Sequence, residues 1–197
     1  VCLMVVFFSL CGYVVMHPEM IFEQFLAYQE RIHHNKVQKR MESNPIVDAL
    51  LTKLLVETQA HRCFLIEFSN GKENLTGLSF LYGRMTAQIT ADSIKSSMSE
   101  FSEFNLDQFR LVSDITVNGY WGGTTEELMQ VDAPLAHKLL VNGTHSLVMV
   151  TLYGSKSAIG VLGVSFTSET GYNEDRVESI VRRYSYQVSS AIDAEKL

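Results

Sequence analysis

Residues 143–166, GTHSLVMVTLYGSKSAIGVLGVSF, constrain the fold more than any other part of the chain. Two apolar runs, Ser146–Tyr153 and Ala158–Phe166, flank a polar break, GSKS at 154–157. Runs rich in β-branched and aromatic residues, separated by turn-forming residues, predict a β-hairpin. Their apolar density leaves no face for water, so the pair belongs in the middle of a covered sheet. The second run carries Gly160 and Gly163. Glycine weakens a strand and gives it no side chain to pack, so it marks a bulge or a close approach by another group.

A chain of 197 residues suits one domain plus an extension. Hydrophobic residues make up 46% and charged residues 19%, enough apolar material for a core. The net charge of −6 argues against a nucleic-acid partner, which needs a basic surface. Cys2, Cys11 and Cys63 have neither disulfide-framework nor zinc spacing. Cys63 reads as a core residue.

Residues 1–16, VCLMVVFFSLCGYVVM, carry no charge. The run is somewhat shorter than the roughly 20 residues of a spanning helix. The chain begins with Val, so the sequence reads as cut or processed upstream. We read residues 1–26 as a membrane segment, with a signal-peptide core or a buried helix as the alternatives. Residues 27–44 follow as a basic juxtamembrane helix or linker, with Arg31, Lys36, Lys39 and Arg40. By the positive-inside rule this flank places the C-terminal domain in the cytoplasm of a single-pass protein. Ile21, Phe25, Tyr28 and Ile32 form a helical stripe. It reads as a solvated helix or as a dimer seam. His33 and His34 are adjacent and point apart on a helix, which disfavours a metal pair.

Residues 45–197 form the folded domain. Ser43, Asn44 and Pro45 predict a helix start, with Ile46, Val47, Leu50, Leu51, Leu54 and Leu55 on its apolar face. Strands are predicted at 62–68 and 78–90, the second broken near Gly83, with a turn at 69–72. The middle, 91–145, is irregular: a short helix near 94–104, an edge strand at 109–112 and a Gly-rich loop at 118–125 around Trp121. Helices follow at 133–141 and from about residue 173. Sequentially paired strands with helices gathered against them predict an α+β domain with an antiparallel sheet.

The sequence resembles a GAF domain over about residues 46–195. Three places carry the resemblance: the helix–strand opening DALLTKLLVETQAHRCFLIEFSNG, the hairpin with Ser146 and the run Ile159, Gly160, Val161, Leu162, and the end, where Tyr172, Asp175, Ala191, Ile192 and Ala194 sit at the family's places. The resemblance implies an antiparallel sheet with helices on one face. On the other it implies a loop-rich pocket over the second strand, the middle segment and the hairpin.

GAF sensors bind cyclic nucleotides, bilins, haem or metabolites. The chain lacks the cyclic-nucleotide motif, and its one domain cysteine, Cys63, lies in the first strand rather than a pocket loop. A single cysteine also excludes the sulfoxide-reductase chemistry of some members. His137 and His145 are weak haem-ligand candidates. The cofactor is therefore unknown. Candidate ligand-binding residues are Tyr82 and Arg84 at the second strand, Arg110 and Asp114, and Tyr120 and Trp121 as an aromatic wall. The competing expectation is that both arginines pair with surface carboxylates and Trp121 plugs a loop. No hydrolase or metalloprotease motif is present, so no enzyme activity is expected.

The function expected is that of a membrane-tethered GAF-like sensory or regulatory domain. It would bind a small molecule or a protein and signal by helix shifts or as a homodimer. The alternative is a ligand-free structural or regulatory membrane protein that uses the fold as an interaction surface. The sequence stops at Leu197, directly after the last helix, which points to signalling through a partner.

Overall fold

A computed structural model describes residues 18–73, 79–155, 157–169 and 172–193. The chain divides into two compact units, Val1–Glu42 and Ser43–Leu197. The apolar run 1–16 lies outside the described residues. Among those described, no helix is long and apolar enough to cross a membrane.

Helix α1 spans Pro18–Thr58 and belongs to both units. It does not start at residues 43–45, as the capping signals there predict, but runs through Pro45. Proline there removes one helical hydrogen bond, and the helix formers on both sides outweigh that loss. In the first unit Phe25 and Tyr28 of the expected stripe are exposed, as is Phe22. The side chains of Ile21 and Ile32 lie outside the described residues.

In the second unit strands β1 (Arg62–Glu73), β2 (Ser79–Thr90), β3 (Phe104–Asn105), β4 (Tyr120–Thr124), β5 (Ser146–Tyr153) and β6 (Ala158–Phe166) build an antiparallel sheet. Its order is β3-β2-β1-β6-β5-β4. The predicted hairpin is β5–β6, and it sits inside the sheet between β1 and β4. Residues 69–72, expected as a turn, continue β1. The irregularity of β2 falls opposite Leu65 and Ile66 rather than at Gly83.

Side-chain alternation sends each strand's residues to two faces. One face carries Cys63, Leu65, Val148, Val150, Leu152, Leu162, Val164 and Phe166. Leu51 and Leu54 of α1, with Val177, Val181 and Val188 of helix α5 (Glu174–Asp193), cover it. Each fully buried Leu or Val contributes about 1.5–3 kcal/mol. Glu57 fastens the two helices: Arg183 donates to its carboxylate, as does the Tyr184 hydroxyl at 3.1 Å, and Arg176 Nη2 donates to its carbonyl at 3.3 Å.

The other face carries Phe64, Ile66, Met85, Leu147, Met149 and Val161. Its cover is more helical than the sequence predicts. It consists of two 3-10 turns, Met98–Phe101 and Leu106–Gln108, and helices α2 (Arg110–Asn118), α3 (Thr125–Val131) and α4 (Ala133–Val141). The edge strand expected at 109–112 is therefore the start of a helix. Leu111, Val112 and Ile115 are buried at helical spacing, which an extended chain would split between two faces. The Gly-rich stretch expected as a loop is strand β4, paired to β5 from Tyr120 to Thr124.

The glycines of β6 are sites of close approach. A Cβ on Gly163 would overlap the ring of Phe64, its register partner. A Cβ on Gly160 would overlap the backbone carbonyl of Ile66.

Candidate functional site

The second face holds a cavity of about 30 Å³ between the sheet and the middle segment. The strands contribute Phe64, Ile66, Met85, Leu147 and Met149, and the cover contributes Phe101, Phe104, Phe109, Val112, Leu135 and Leu139. Phe101 and Phe104 pack edge against face with centroids 6.0 Å apart, and Phe109 lies tilted against Phe104 at 5.4 Å. Such pairs add directional preference to plain burial.

The cover is fixed by polar clamps. Gln88 Nε2 donates to Ser97 Oγ at 2.9 Å, and Gln88 Oε1 accepts from the Ser97 amide at 2.9 Å. Asp132 is buried and caps two helices. Its Oδ2 accepts from the Leu111 amide of α2 and its Oδ1 from the Leu135 amide of α4, both at 3.0 Å. Helix N-termini leave amides without internal partners, so one carboxylate here serves two ends.

Arg62, at the start of β1, reaches the same cavity with Ser97, Thr144 and Ser165. It is 4% exposed. Its Nε donates to the Lys95 carbonyl at 3.1 Å and Nη2 to the Asn142 carbonyl at 2.8 Å, while Nη1 lies 3.5 Å from Thr144 Oγ1. Burial pushes its pKa down, and the nearby Glu100 carboxylate opposes that. The sequence predicts a strand for Arg62 and assigns it no role. The available sign was its parity with Phe64 and Ile66, which puts a cation on an apolar face.

The predicted site residues do not assemble at this cavity. Arg84 is exposed and Tyr82 half-buried on β2, where Tyr82 pairs with Asn105 of β3. Arg110 and Asp114 form an exposed ion pair at 3.5 Å along α2. Tyr120 and Trp121 do not make one wall, because neighbours on a strand face opposite ways. Trp121 packs against the cavity-side cluster and Tyr120 against the α1–α5 side. The Tyr120 hydroxyl donates to Glu174 Oε1 at 2.7 Å, and Tyr172 lies 3.4 Å from Glu174 Oε2. Burial, reinforced by that carboxylate, pushes both phenols up. Arg182 stacks over the Tyr120 ring at 5.1 Å.

Cys63 points away from the cavity into the α1–α5 core, where burial raises its thiol pKa. His137 is exposed, and His145 Nε2 lies 3.4 Å from Glu169 Oε1. Neither histidine lines the cavity.

Solved structures share this architecture. A far-red cyanobacteriochrome photoreceptor superposes with a TM-score of 0.62 at 13% identity, over 87% of this chain and 98% of that one. The PixJ GAF domain of Thermosynechococcus elongatus, in its blue-light-absorbing form, gives 0.62 at 11% identity, over 79% and 88%. The fold is GAF-like. A phycocyanobilin-bound GAF domain from a cyanobacterial phytochrome gives 0.59 at 14% identity, over 85% and 94%. No family model and no curated protein matches the sequence. At these identities the likeness establishes the GAF-like fold alone, and the site is read from this chain's own residues.

Proposed function

We propose that the chain is a non-enzymatic, GAF-like sensory or regulatory domain, tethered to the membrane by its N-terminal apolar run. It binds a small, mainly apolar molecule and signals through α1 and α5, or by forming a homodimer. The observation that carries this reading is the cavity: an apolar void under a cover of short helices, with one buried cation at its edge. Ligand sites combine apolar walls with a few placed polar groups in this way.

Bilin does not fit. The cavity of about 30 Å³ is far below the roughly 300–1,000 Å³ of drug-sized sites. The Cys63 thiol, on the opposite face, has no route to a chromophore there. The same small volume favours a second reading, in which the phenylalanines fill the pocket and the domain serves as a protein-interaction surface.

The two readings separate in the purified full chain. Native mass spectrometry and thermal-shift measurements with nucleotides and small metabolites should reveal retained mass or a saturable rise in Tm. A ligand-free protein that responds to no compound would favour the interaction surface. The tether has its own check. Glu42→Cys should resist an impermeant thiol reagent in intact cells, and ready labelling from outside would reverse the topology.

A further inference from the structure

Among the described residues, Arg62 is the one charged residue lining the cavity. No carboxylate of the described residues lies within ion-pairing distance of it. A guanidinium has five N–H donors. The three contacts it makes are all to neutral oxygens, and the one to Thr144 is long. The Glu100 carboxylate accepts from Asn142 Nδ2 at 2.7 Å, and Lys138 Nζ sits 4.2 Å over the Phe101 ring while donating to the Glu100 carbonyl. The Glu100 carboxylate thus favours the charged form of Arg62 from a distance, while its own contact is to Asn142. A buried cation with no carboxylate in contact is costly, and an anion that enters recovers part of that cost.

Beside the guanidinium the lining has the hydroxyls of Ser97, Thr144 and Ser165, and elsewhere it is hydrocarbon and thioether. One end suits a small oxyanion and the rest suits an aliphatic tail. We propose that the cavity binds a short aliphatic monocarboxylate, its oxygens on the Arg62 guanidinium and its tail against Phe64, Phe104 and Met149. This rests on the reading of the cavity as a ligand site. The cavity, at about 30 Å³, is smaller than such an acid, so the phenylalanines of the cover must shift to admit even a short tail. Phe101, on a 3-10 turn of the cover, is one of the side chains that would have to give way.

The experiment compares acids with their neutral isosteres on the full chain. Butanoate and 3-methylbutanoate are titrated at neutral pH by calorimetry and thermal shift, alongside butanamide and 3-methylbutanamide. The acids should bind roughly tenfold or more tightly than the amides, since the amide leaves the cation unmatched. Arg62→Gln should erase that preference, with circular dichroism confirming the fold. Phe101→Ala should move the optimum to longer acids. Should Arg62→Gln fail to fold, the acid–amide ratio of the natural protein decides alone. Equal binding of acids and amides overturns the Arg62 assignment and leaves a ligand cavity. Binding of neither at millimolar concentration overturns the short-acid proposal and leaves the cavity's wider role as a ligand site to the nucleotide and metabolite panel.

Discussion

The two faces of the sheet are built from the same strands and solve different problems. The α1–α5 face is aliphatic, is covered by two long helices, and has its helices fastened at Glu57. The cavity face uses phenylalanine and methionine under a cover of short pieces, and it keeps a void and a buried cation. Long helices present a continuous stripe that matches a sheet closely, whereas short ones meet it at several angles and leave gaps. The difference teaches that one face is closed by continuous helical packing while the other keeps a void, which the proposed function fills with a guest.

The strongest test of that division is truncation. Leu152→Ala on the α1–α5 face should cost about 3–5 kcal/mol, because the helices have no slack with which to close the hole. Chemical denaturation measures it, and a loss under about 1 kcal/mol would show that this face is as loose as the other.

Next come the two glycines, one on each face. Gly160→Ala drives a methyl into a backbone carbonyl and should cost about 3 kcal/mol. Gly163→Ala meets only the Phe64 ring, which borders the void, and should cost about 1 kcal/mol. Equal losses would erase the contrast between a rigid and a yielding face.

Asp132→Ala removes both caps from the cavity cover. It should cost about 2 kcal/mol and raise hydrogen exchange at Leu111 and Leu135, leaving the α1–α5 side protected. Uniform loss of protection would mean that the faces unfold as one.

The smallest effect concerns pH. The Arg183 hydrogen bond holds the Glu57 carboxyl below its usual value of 4.5, against a smaller opposing effect of desolvation. A depressed carboxylate stabilises the fold above its unfolded pKa, and that contribution is lost as pH falls through the folded value. Glu57→Gln should therefore be less stable than the natural protein at neutral pH and converge with it in acid below about 4.5. A gap that persists in strong acid would assign the contact to packing instead.

The sequence revealed the α1–α5 side far better than the cavity side. The hairpin and α5 match their predicted positions, as does α4 on the cavity side, because each has its own period: alternation, or apolar residues every three to four places. Residues 109–112 misled because a short apolar run fits strand or helix equally, and only the later Ile115 carries the helical spacing forward. Residues 118–125 looked like a loop because glycine is a poor strand former, yet pairing with β5 overrides that preference. The candidate site was almost illegible. Arg62 takes its acceptors from positions 33, 80 and 82 residues away, and Asp132 caps a helix 21 residues upstream. Such partners come together only in the folded state. Tyr120 and Trp121 were visible as aromatics, but only the strand assignment separates them.

Gly163 touches none of the space it controls. It is absent from the cavity wall, but its bare α-carbon is the shelf on which the Phe64 ring rests, and that ring is part of the wall. A change at this position would re-tune the void while leaving every wall residue the same. If the proposed ligand reading holds, guest preference among descendants of this chain is free to drift through a residue that a comparison of pocket-lining positions would pass over.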